Sequence, residues 1–234
     1  MTQVLPHSAG AGLATLSAET LAARAASALQ RAILSGELAP DTKLVIHELA
    51  ERFGIGTTPI REGLSRLVTF GLVVAIGQRG FRVARVSRED LDDIIRIRTL
   101  IEVEALRLSM QHGGDEWEAG IVAGIHRLRR FVGRSNSSIH EGSEEFDAVH
   151  KTFHTSLVAG CGSLRMIEQH RTLYDQAYRY RRIMMRAFPS AEEFEQEHQD
   201  LADLTIARDF EQASERLRRH LAYPLAYVYG GAAP

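Results

Sequence analysis

The sequence predicts a mainly α-helical protein, with an N-terminal winged helix-turn-helix followed by an antiparallel all-helical bundle. Three observations support this prediction. Three short amphipathic segments precede residue 70, two runs of β-forming residues then flank a glycine-bounded tetrad, and residues 87–229 have helical patterning. We divide the chain into a loose tail at 1–15, a winged-helix domain at 16–87 and a helical domain at 88–230.

The composition is that of an ordinary globular protein. Of 234 residues, 44% are hydrophobic and 25% are charged. The single cysteine, Cys161, cannot form an internal disulfide, and no stretch reaches the roughly 18 apolar residues that a membrane span needs. The first fifteen residues lack the basic start and long apolar run of a secretory signal. We therefore expect a cytoplasmic protein with no membrane partner.

Local signals define the elements of the N-terminal part. Apolar residues recur at helical spacing over 21–34 and 46–53. A third helix over 58–69 is predicted to begin with Thr58 as N-cap and Pro59 in the first helical position. These three segments have the lengths of a helix-turn-helix domain.

A hairpin and six further helices complete the predicted fold. Strands at 72–76 and 81–86 flank Gly77-Gln78-Arg79-Gly80, which is typical of a hairpin, and Ser87 with Asp90 resembles a capping box. The helices after this box are predicted at about 88–111, 115–133, 140–159, 163–187, 191–207 and 209–228. Cys161 and Trp117 are interpreted as packing residues of this bundle.

The third helix is the candidate DNA-reading element. Thr58, Arg61 and Ser65 fall on the face opposite its apolar side, and a guanidinium is the commonest reader of guanine. Arg79 at the hairpin tip is placed to enter the minor groove or to contact phosphate. Residues 1–90 carry only ten basic against eight acidic side chains, so a solvated amphipathic helix pair is an equal alternative on periodicity alone.

Histidines in the helical domain suggest a metal site. His150 and His154 lie four residues apart, so their side chains emerge from one helix face, and His198 and His220 stand in two other predicted helices. Imidazoles from several helices of a bundle are a recurring way to bind zinc, nickel, copper or iron. The chain has ten histidines, so a chance i, i+4 pair is the alternative.

The N-terminal part resembles the DNA-binding domain of the GntR family of bacterial regulators. The resemblance covers about 17–86 and rests on the string ELAERFGIGTTPIREGLSRLVTFGLVVAIGQRGFRV. It implies binding to double-stranded operator DNA, with Arg61 matching a retained arginine of the family. Thr57 replaces an arginine that commonly contacts DNA. The predicted DNA-binding set is Thr57, Thr58, Arg61, Ser65, Arg79 and Gly80.

The helical part resembles the FCD ligand-binding domain of the FadR-type branch of that family, in its six-helix, VanR-like version. The resemblance implies a divalent metal held by His150, His154, His198 and His220, with His150 standing where the family usually has aspartate. An all-imidazole set favours a transition metal, zinc or nickel, over magnesium or calcium. Asp147, one turn earlier, is a further candidate carboxylate in the inner or outer shell.

The same resemblance implies a small carboxylate-type effector beside the metal. Arg98 matches the family residue that contacts the anion, and an ordinary i, i+4 salt bridge to Glu102 is the alternative. A second possible anion site comprises three arginines, of which most are expected to be solvated or at a domain interface. They are Arg179, Arg181 and Arg182, interleaved with Tyr178 and Tyr180.

These features together predict a homodimeric transcriptional regulator, a repressor rather than an enzyme, whose operator binding is controlled by the effector. A sensor that responds to the metal itself is one alternative. A metal-dependent hydrolase is another, although the sequence contains no HExxH motif.

Overall fold

The computed structural model describes residues 20–134, 144–184 and 190–230, so the predicted tail at 1–15 lies outside it. Within these ranges the fold has two parts, a winged helix-turn-helix and an all-helical bundle, as the sequence predicts. No helix of the described ranges is both long and apolar enough to cross a membrane.

Three helices and a small sheet form the winged helix-turn-helix. The helices are α1 (Leu21–Leu34), α2 (Ile46–Phe53) and α3 (Thr57–Thr69). The strands are β1 (Lys43–Leu44), β2 (Val73–Ala75) and β3 (Phe81–Val83), in the antiparallel order β1-β3-β2. Phe81 pairs with Leu44 on one side and with Ala75 on the other, so β3 is the central strand.

The recognition helix α3 is held by close packing against α1. Leu29 and Leu64 are fully buried between these helices. A Cβ on Gly63 would lie 2.9 Å from the backbone nitrogen of Ala26, so the two helices touch at the level of their backbones. Only glycine permits this approach, which fixes the position of α3 on the domain.

Two local predictions about this domain were wrong. Gly56, not Thr58, is the N-cap of α3. Gly54 adopts a left-handed conformation, and only three residues, Gly54, Ile55 and Gly56, separate α2 from α3, so Thr58 already lies in the first helical turn. The strands of the hairpin are shorter than predicted; β2 begins one residue later because the N–H of Leu72 bonds to the last turn of α3. Strand β1 has two residues and is too short to show a sequence pattern.

The second part is a bundle of six helices in the described ranges, in agreement with the six predicted. They are α4 (Arg88–His112), α5 (Asp115–Arg134), α6 (Glu144–Val158), α7 (Leu164–Met184), α8 (Ala191–Ile206) and α9 (Phe210–Tyr229). The predicted start of the third bundle helix at 140 and the predicted end of the fourth at 187 lie outside the described residues.

Helix α4 is the centre of the bundle, because it packs against both α7 and α9, while α5 packs against α6 and α8. Ser87 begins α4 as predicted: its hydroxyl accepts a hydrogen bond of 3.1 Å from the N–H of Asp90. Trp117 and Cys161 are both buried, and the indole N–H donates to the carbonyl of Ser156 at 2.9 Å. Both are packing residues, as predicted.

Candidate functional site

The outward face of α3 is a polar, solvent-accessible surface. Thr57, Thr58, Arg61 and Ser65 are all exposed, while Ile60, Leu64 and Leu67 on the other side are buried. The structure therefore places these four predicted DNA-contacting side chains together on one accessible helix face. Arg66 is exposed on the same helix and was not singled out from the sequence.

The wing presents additional basic side chains. Arg79 is exposed at the tip of the hairpin, and Gly80 has φ 97 and ψ −141, a conformation that side chains rarely adopt. The prediction missed Arg82 and Arg85, which lie on or beside β3 and form ion pairs with Asp41 at 3.5 and 3.1 Å. Their partner Asp41 lies in the turn before β1, where the sequence Pro40-Asp41 indicates a turn but not these ion pairs.

The four predicted metal-binding histidines meet inside the bundle. His150 and His154 come from α6, His198 from α8 and His220 from α9. One ring nitrogen from each lies within 4.8 Å of those of the other three. The Nε2 atom of His150 is 3.0 Å from Nε2 of His198 and 3.1 Å from Nε2 of His154.

Two of these rings have partners that fix which nitrogen carries the proton. His198 Nδ1 lies 2.7 Å from the carbonyl oxygen of Phe194, and His220 Nδ1 lies 3.2 Å from a carboxylate oxygen of Glu197. Both oxygens can only accept, so each Nδ1 is the donor. The Nε2 lone pair of a neutral ring is then available to a metal, which is the arrangement that metal-binding histidines usually have.

Glu197 is ionised beside His220. Burial alone would raise the pKa of Glu197, but the hydrogen bond from His220 and electrostatic attraction to His220, His198 and Arg216 outweigh it and lower that pKa to about 2. The carboxylate therefore compensates part of the positive charge that a cation at the histidines would bring. Nothing in the sequence pattern indicated this role, because 23 residues separate Glu197 from His220.

The histidine cluster fits a transition metal. Imidazole ligands at about 2.0–2.1 Å from a tetrahedral zinc ion would place their nitrogens about 3.3 Å apart. The two short separations around His150 Nε2 are close to that spacing. Without a cation or a shared proton, the lone pairs of His150 and His198 would face each other at a repulsive distance.

Asp147 contributes its carboxylate outside the ring of histidine nitrogens. It is half-buried on α6, and its Oδ1 accepts a hydrogen bond of 3.3 Å from the hydroxyl of Tyr174. That hydroxyl also lies 2.6 Å from Nδ1 of His150. Of the two positions considered for Asp147, the geometry favours the outer shell.

Arg98 belongs to a buried charged group. Its Nε donates to Glu102 at 2.6 Å, and His170 Nδ1 lies 3.2 Å from the same carboxylate oxygen. All three residues are buried. Burial alone would raise the pKa of Glu102, but the charges of Arg98 and His170 and their hydrogen bonds lower it to about 2. The i, i+4 salt bridge considered for Arg98 is therefore present, and the guanidinium also lies 5.6 Å from the centroid of the Tyr174 ring.

The alternative anion site on α7 is not supported at Arg179. This side chain is buried, donates to the carbonyl of Ala84 at 3.2 Å and lies 3.9 Å from Asp90, so it links the two domains. Burial lowers the pKa of Arg179 despite the opposing charges nearby. The side chains of Arg181 and Arg182 lie outside the described residues.

A polar contact joins the histidine-bearing helices to α1 of the winged helix. Asp175 on α7 accepts from Gln30 of α1 at 2.7 Å and forms an ion pair with Lys151, the residue after His150. Gln176 donates to the carbonyl of Phe70 at 2.8 Å. An open cleft of about 660 Å³, lined by residues of α1, α6 and α7, lies beside Asp175. Polar contacts thus link α6 and α7 to the winged helix-turn-helix.

The exposed α3 face and wing, joined to a bundle that gathers four histidines, define a DNA-binding regulator with a separate helical domain. The chain belongs to the GntR family: residues 21–83 match the model of bacterial regulatory proteins of the gntR family, and residues 93–223 match the FCD domain. The family and its relatives are transcriptional regulators, so the chain is not an enzyme and the hydrolase interpretation is set aside.

Two relatives are similar over most of their length. The HTH-type transcriptional repressor GlaR of Escherichia coli (strain K12) is 37% identical over 204 residues, which cover 86% of this chain and 92% of GlaR. The HTH-type transcriptional regulator BphR of Paraburkholderia xenovorans (strain LB400) is 34% identical over 200 residues, covering 86% of this chain and 82% of BphR.

Solved structures show the same fold. The structure of Escherichia coli McbR/YncC has a TM-score of 0.72 at 22% identity and covers 90% of this chain and 97% of its own. A GntR-type regulator from Rhodococcus sp. RHA1 has a TM-score of 0.71 at 20% identity, with coverages of 90% and 98%. At these identities the likeness concerns the fold alone.

Proposed function

We propose that this regulator is a repressor whose helical domain binds a divalent transition metal, zinc or nickel, through His150, His154, His198 and His220. The convergence of four imidazoles in the bundle is the observation that carries the proposal. Three of these histidines are almost completely buried, so the cluster is enclosed by protein. The similarity to the repressor GlaR supports repression rather than activation of transcription.

Elemental analysis of purified protein tests the metal centre directly. We expect one transition metal ion per chain in the parent and strongly reduced content in His154→Ala and His198→Ala. His126→Ala is the matched control, because His126 is exposed on α5 and outside the cluster. Equal metal content in all four proteins would refute the assigned site.

The DNA-binding surface is proposed to comprise Thr57, Thr58, Arg61 and Ser65 of α3, with Arg79 and Gly80 of the wing. Thr57, Thr58, Arg61, Ser65 and Arg79 are exposed to solvent, which supports this assignment. In a helix-turn-helix protein the second helix enters the major groove, where Arg61 would contact base edges or phosphate.

A homodimer fits this mode of recognition, because two recognition helices would meet successive major grooves of a near-palindromic operator. Ile97 and Leu100 are exposed apolar residues on α4, 38% and 66% accessible, and offer a surface that a second copy would cover. Sedimentation measurements that give a monomer at all concentrations would contradict the dimer.

We further propose that a small carboxylate-type effector binds beside the metal, with Arg98 as its cationic anchor. Arg98 contacts the ring of Tyr174, whose hydroxyl contacts His150, so the guanidinium lies close to the metal-binding residues. The effector's carboxylate would compete with Glu102 for the guanidinium. Thermal-shift screening with short linear mono- and dicarboxylates should give stabilisation in the parent and none in Arg98→Gln. Equal stabilisation of both proteins would contradict the anchor.

Control of DNA binding would pass through the contact between Asp175, Lys151 and Gln30. Lys151 follows a proposed metal ligand, and Gln30 lies on the helix that packs against α3. A shift of α6 or α7 on ligand binding would therefore alter the support of the recognition helix and change the population of DNA-competent dimers. If a carboxylate causes no further change in the operator affinity of the metal-loaded protein, the alternative in which the metal itself is the signal is favoured.

A further inference from the structure

Tyr174 occupies a central position that the sequence did not indicate. It lies on α7 and is 2% exposed. Its hydroxyl is 2.6 Å from Nδ1 of His150 and 3.3 Å from Oδ1 of Asp147. Asp147 and His150 are one turn apart on the facing helix α6. Tyr174 therefore connects α7 to the first of the two histidines of α6.

The direction of these hydrogen bonds follows from their acceptors. A carboxylate can only accept, so the hydroxyl of Tyr174 donates to Asp147. The tyrosine oxygen then accepts from His150, whose proton must be on Nδ1. Neutral His150 in this tautomer directs the lone pair of Nε2 towards the nitrogens of His154 and His198.

With the opposite polarity the imidazole could not bind a metal in this place. If Tyr174 donated to Nδ1, a neutral His150 would carry its proton on Nε2, the atom that faces the other histidines. The carboxylate of Asp147 thus selects the binding tautomer through the tyrosine. The carbonyl of Phe194 and the carboxylate of Glu197 perform the same selection on His198 and His220.

We propose that Tyr174 is an outer-shell positioning residue of the metal centre, which together with Asp147 fixes the tautomer and ring orientation of His150. The inference rests on the proposed metal site and deepens it. The ring is itself held in place: the Arg98 guanidinium and the Lys151 ammonium each lie 5.6 Å from its centroid. These contacts restrict the orientation of the ring and therefore the position of its hydroxyl beside His150.

The test uses full-length protein with Tyr174→Phe and Asp147→Ala. Zinc affinity is measured by competition with a chromophoric chelator, and the cobalt(II) form is examined by its visible absorption. Loss of an outer-shell partner typically weakens metal binding about 10–100-fold, so we expect that range for Tyr174→Phe and a smaller loss for Asp147→Ala. The cobalt spectrum should change in both variants, because His150 is no longer fixed in orientation.

Tyr180→Phe is the matched control. Tyr180 is a fully buried tyrosine of the same helix whose hydroxyl contacts the N–H of Ser87 and the carboxylate of Asp90, away from the histidines. The variant Tyr180→Phe loses a buried hydroxyl of the same helix that does not contact the histidines. Its zinc affinity and cobalt spectrum should therefore equal those of the parent. A merely structural need for buried hydroxyl groups on α7 would affect both tyrosine variants.

The outcomes separate this inference from the proposed function. A parent protein that binds neither zinc nor cobalt would overturn the metal site and the role of Tyr174 with it. A parent that binds zinc, with unchanged affinity and cobalt spectrum in Tyr174→Phe, would overturn the role of Tyr174 alone. If circular dichroism shows that Tyr174→Phe does not fold, Asp147→Ala decides, because Asp147 is only half-buried. Parent-like affinity and spectrum in that variant would overturn the selection of the tautomer.

Discussion

Replacing Glu102 by glutamine should destabilise the helical domain strongly. The carboxylate is 1% exposed, accepts from Arg98 at 2.6 Å and lies 3.2 Å from His170. Removing one partner of a buried ion pair costs about 3–5 kcal/mol, because the other charge stays buried without compensation. Glutamine retains an oxygen that can accept from Arg98, so we expect the lower end, about 3 kcal/mol.

Thermal and urea unfolding of full-length protein in the presence of a chelator measures this change without a contribution from metal. For a chain of this length, about 3 kcal/mol corresponds to a fall in melting temperature of about 6–12 °C. Glu104→Gln is the matched control on the same helix, because Glu104 is exposed and pairs with Arg107 at the surface. Glu104→Gln should melt like the parent. Equal melting temperatures for parent and Glu102→Gln would refute the structural role of the buried ion pair.

The effect of Glu102→Gln on stability should depend on pH. The pKa of Glu102 is about 2 in the folded protein against an ordinary value of 4.5. Because the folded value is the lower one, the stability that the carboxylate contributes is present above pH 4.5 and is lost as the pH falls from 4.5 towards 2. The difference in stability between the parent and Glu102→Gln should therefore shrink over this interval. A difference that stays constant from neutral pH to pH 2 would contradict the assignment.

Three further predictions concern other parts of the molecule. Arg61→Ala should weaken binding to the operator by about 1–3 kcal/mol in fluorescence anisotropy without lowering the melting temperature, and unchanged affinity would remove Arg61 from the interface. Asp175→Asn should retain zinc yet reduce the effect of zinc removal on operator affinity, because Lys151 loses its charged partner; a parent-like response would exclude this contact from the coupling. Gly63→Ala should lower stability by about 1–3 kcal/mol because of its close approach to α1, whereas Gly120→Ala, with open space at its Cβ, should raise it by up to about 1 kcal/mol; equal melting temperatures for both would contradict the packing.

The elements of the fold that could be predicted correctly are those whose signals lie in residues close together in the sequence. Helical periodicity and the Ser87 cap depend on residues a few positions apart, and both appear in the structure. The N-cap of α3 was misplaced because two threonines and a glycine compete within three positions, and only the tertiary turn after Gly54 decides between them. Strand β1 exists only through its pairing with β3, so its own two residues carry no signal.

In the candidate site, too, the local features could be predicted and most contacts between residues distant in the sequence could not. The i, i+4 spacing of His150 and His154 is local, whereas the contributions of His198 and His220 were expected from family resemblance and required the bundle to bring them together. Asp147 was predicted as an inner- or outer-shell carboxylate, whereas Tyr174 and Glu197 were missed because long stretches of sequence separate them from the histidines that they contact. Tyr174, for example, is 24 residues from His150. The network around Glu102 was half predicted: the bond to Arg98 is local, while His170 arrives from α7.

Operator binding with and without metal tests the central claim most directly. Fluorescence anisotropy of the zinc-loaded protein on its own upstream intergenic DNA is compared with a scrambled duplex over a salt series, and the titration is repeated after chelation and with His198→Ala. We predict selective binding that changes at least several-fold on chelation in the parent and does not change on chelation in His198→Ala. Superimposable titrations of the zinc-loaded and metal-free parent protein, across the whole salt series, would contradict control of DNA binding by the histidine cluster.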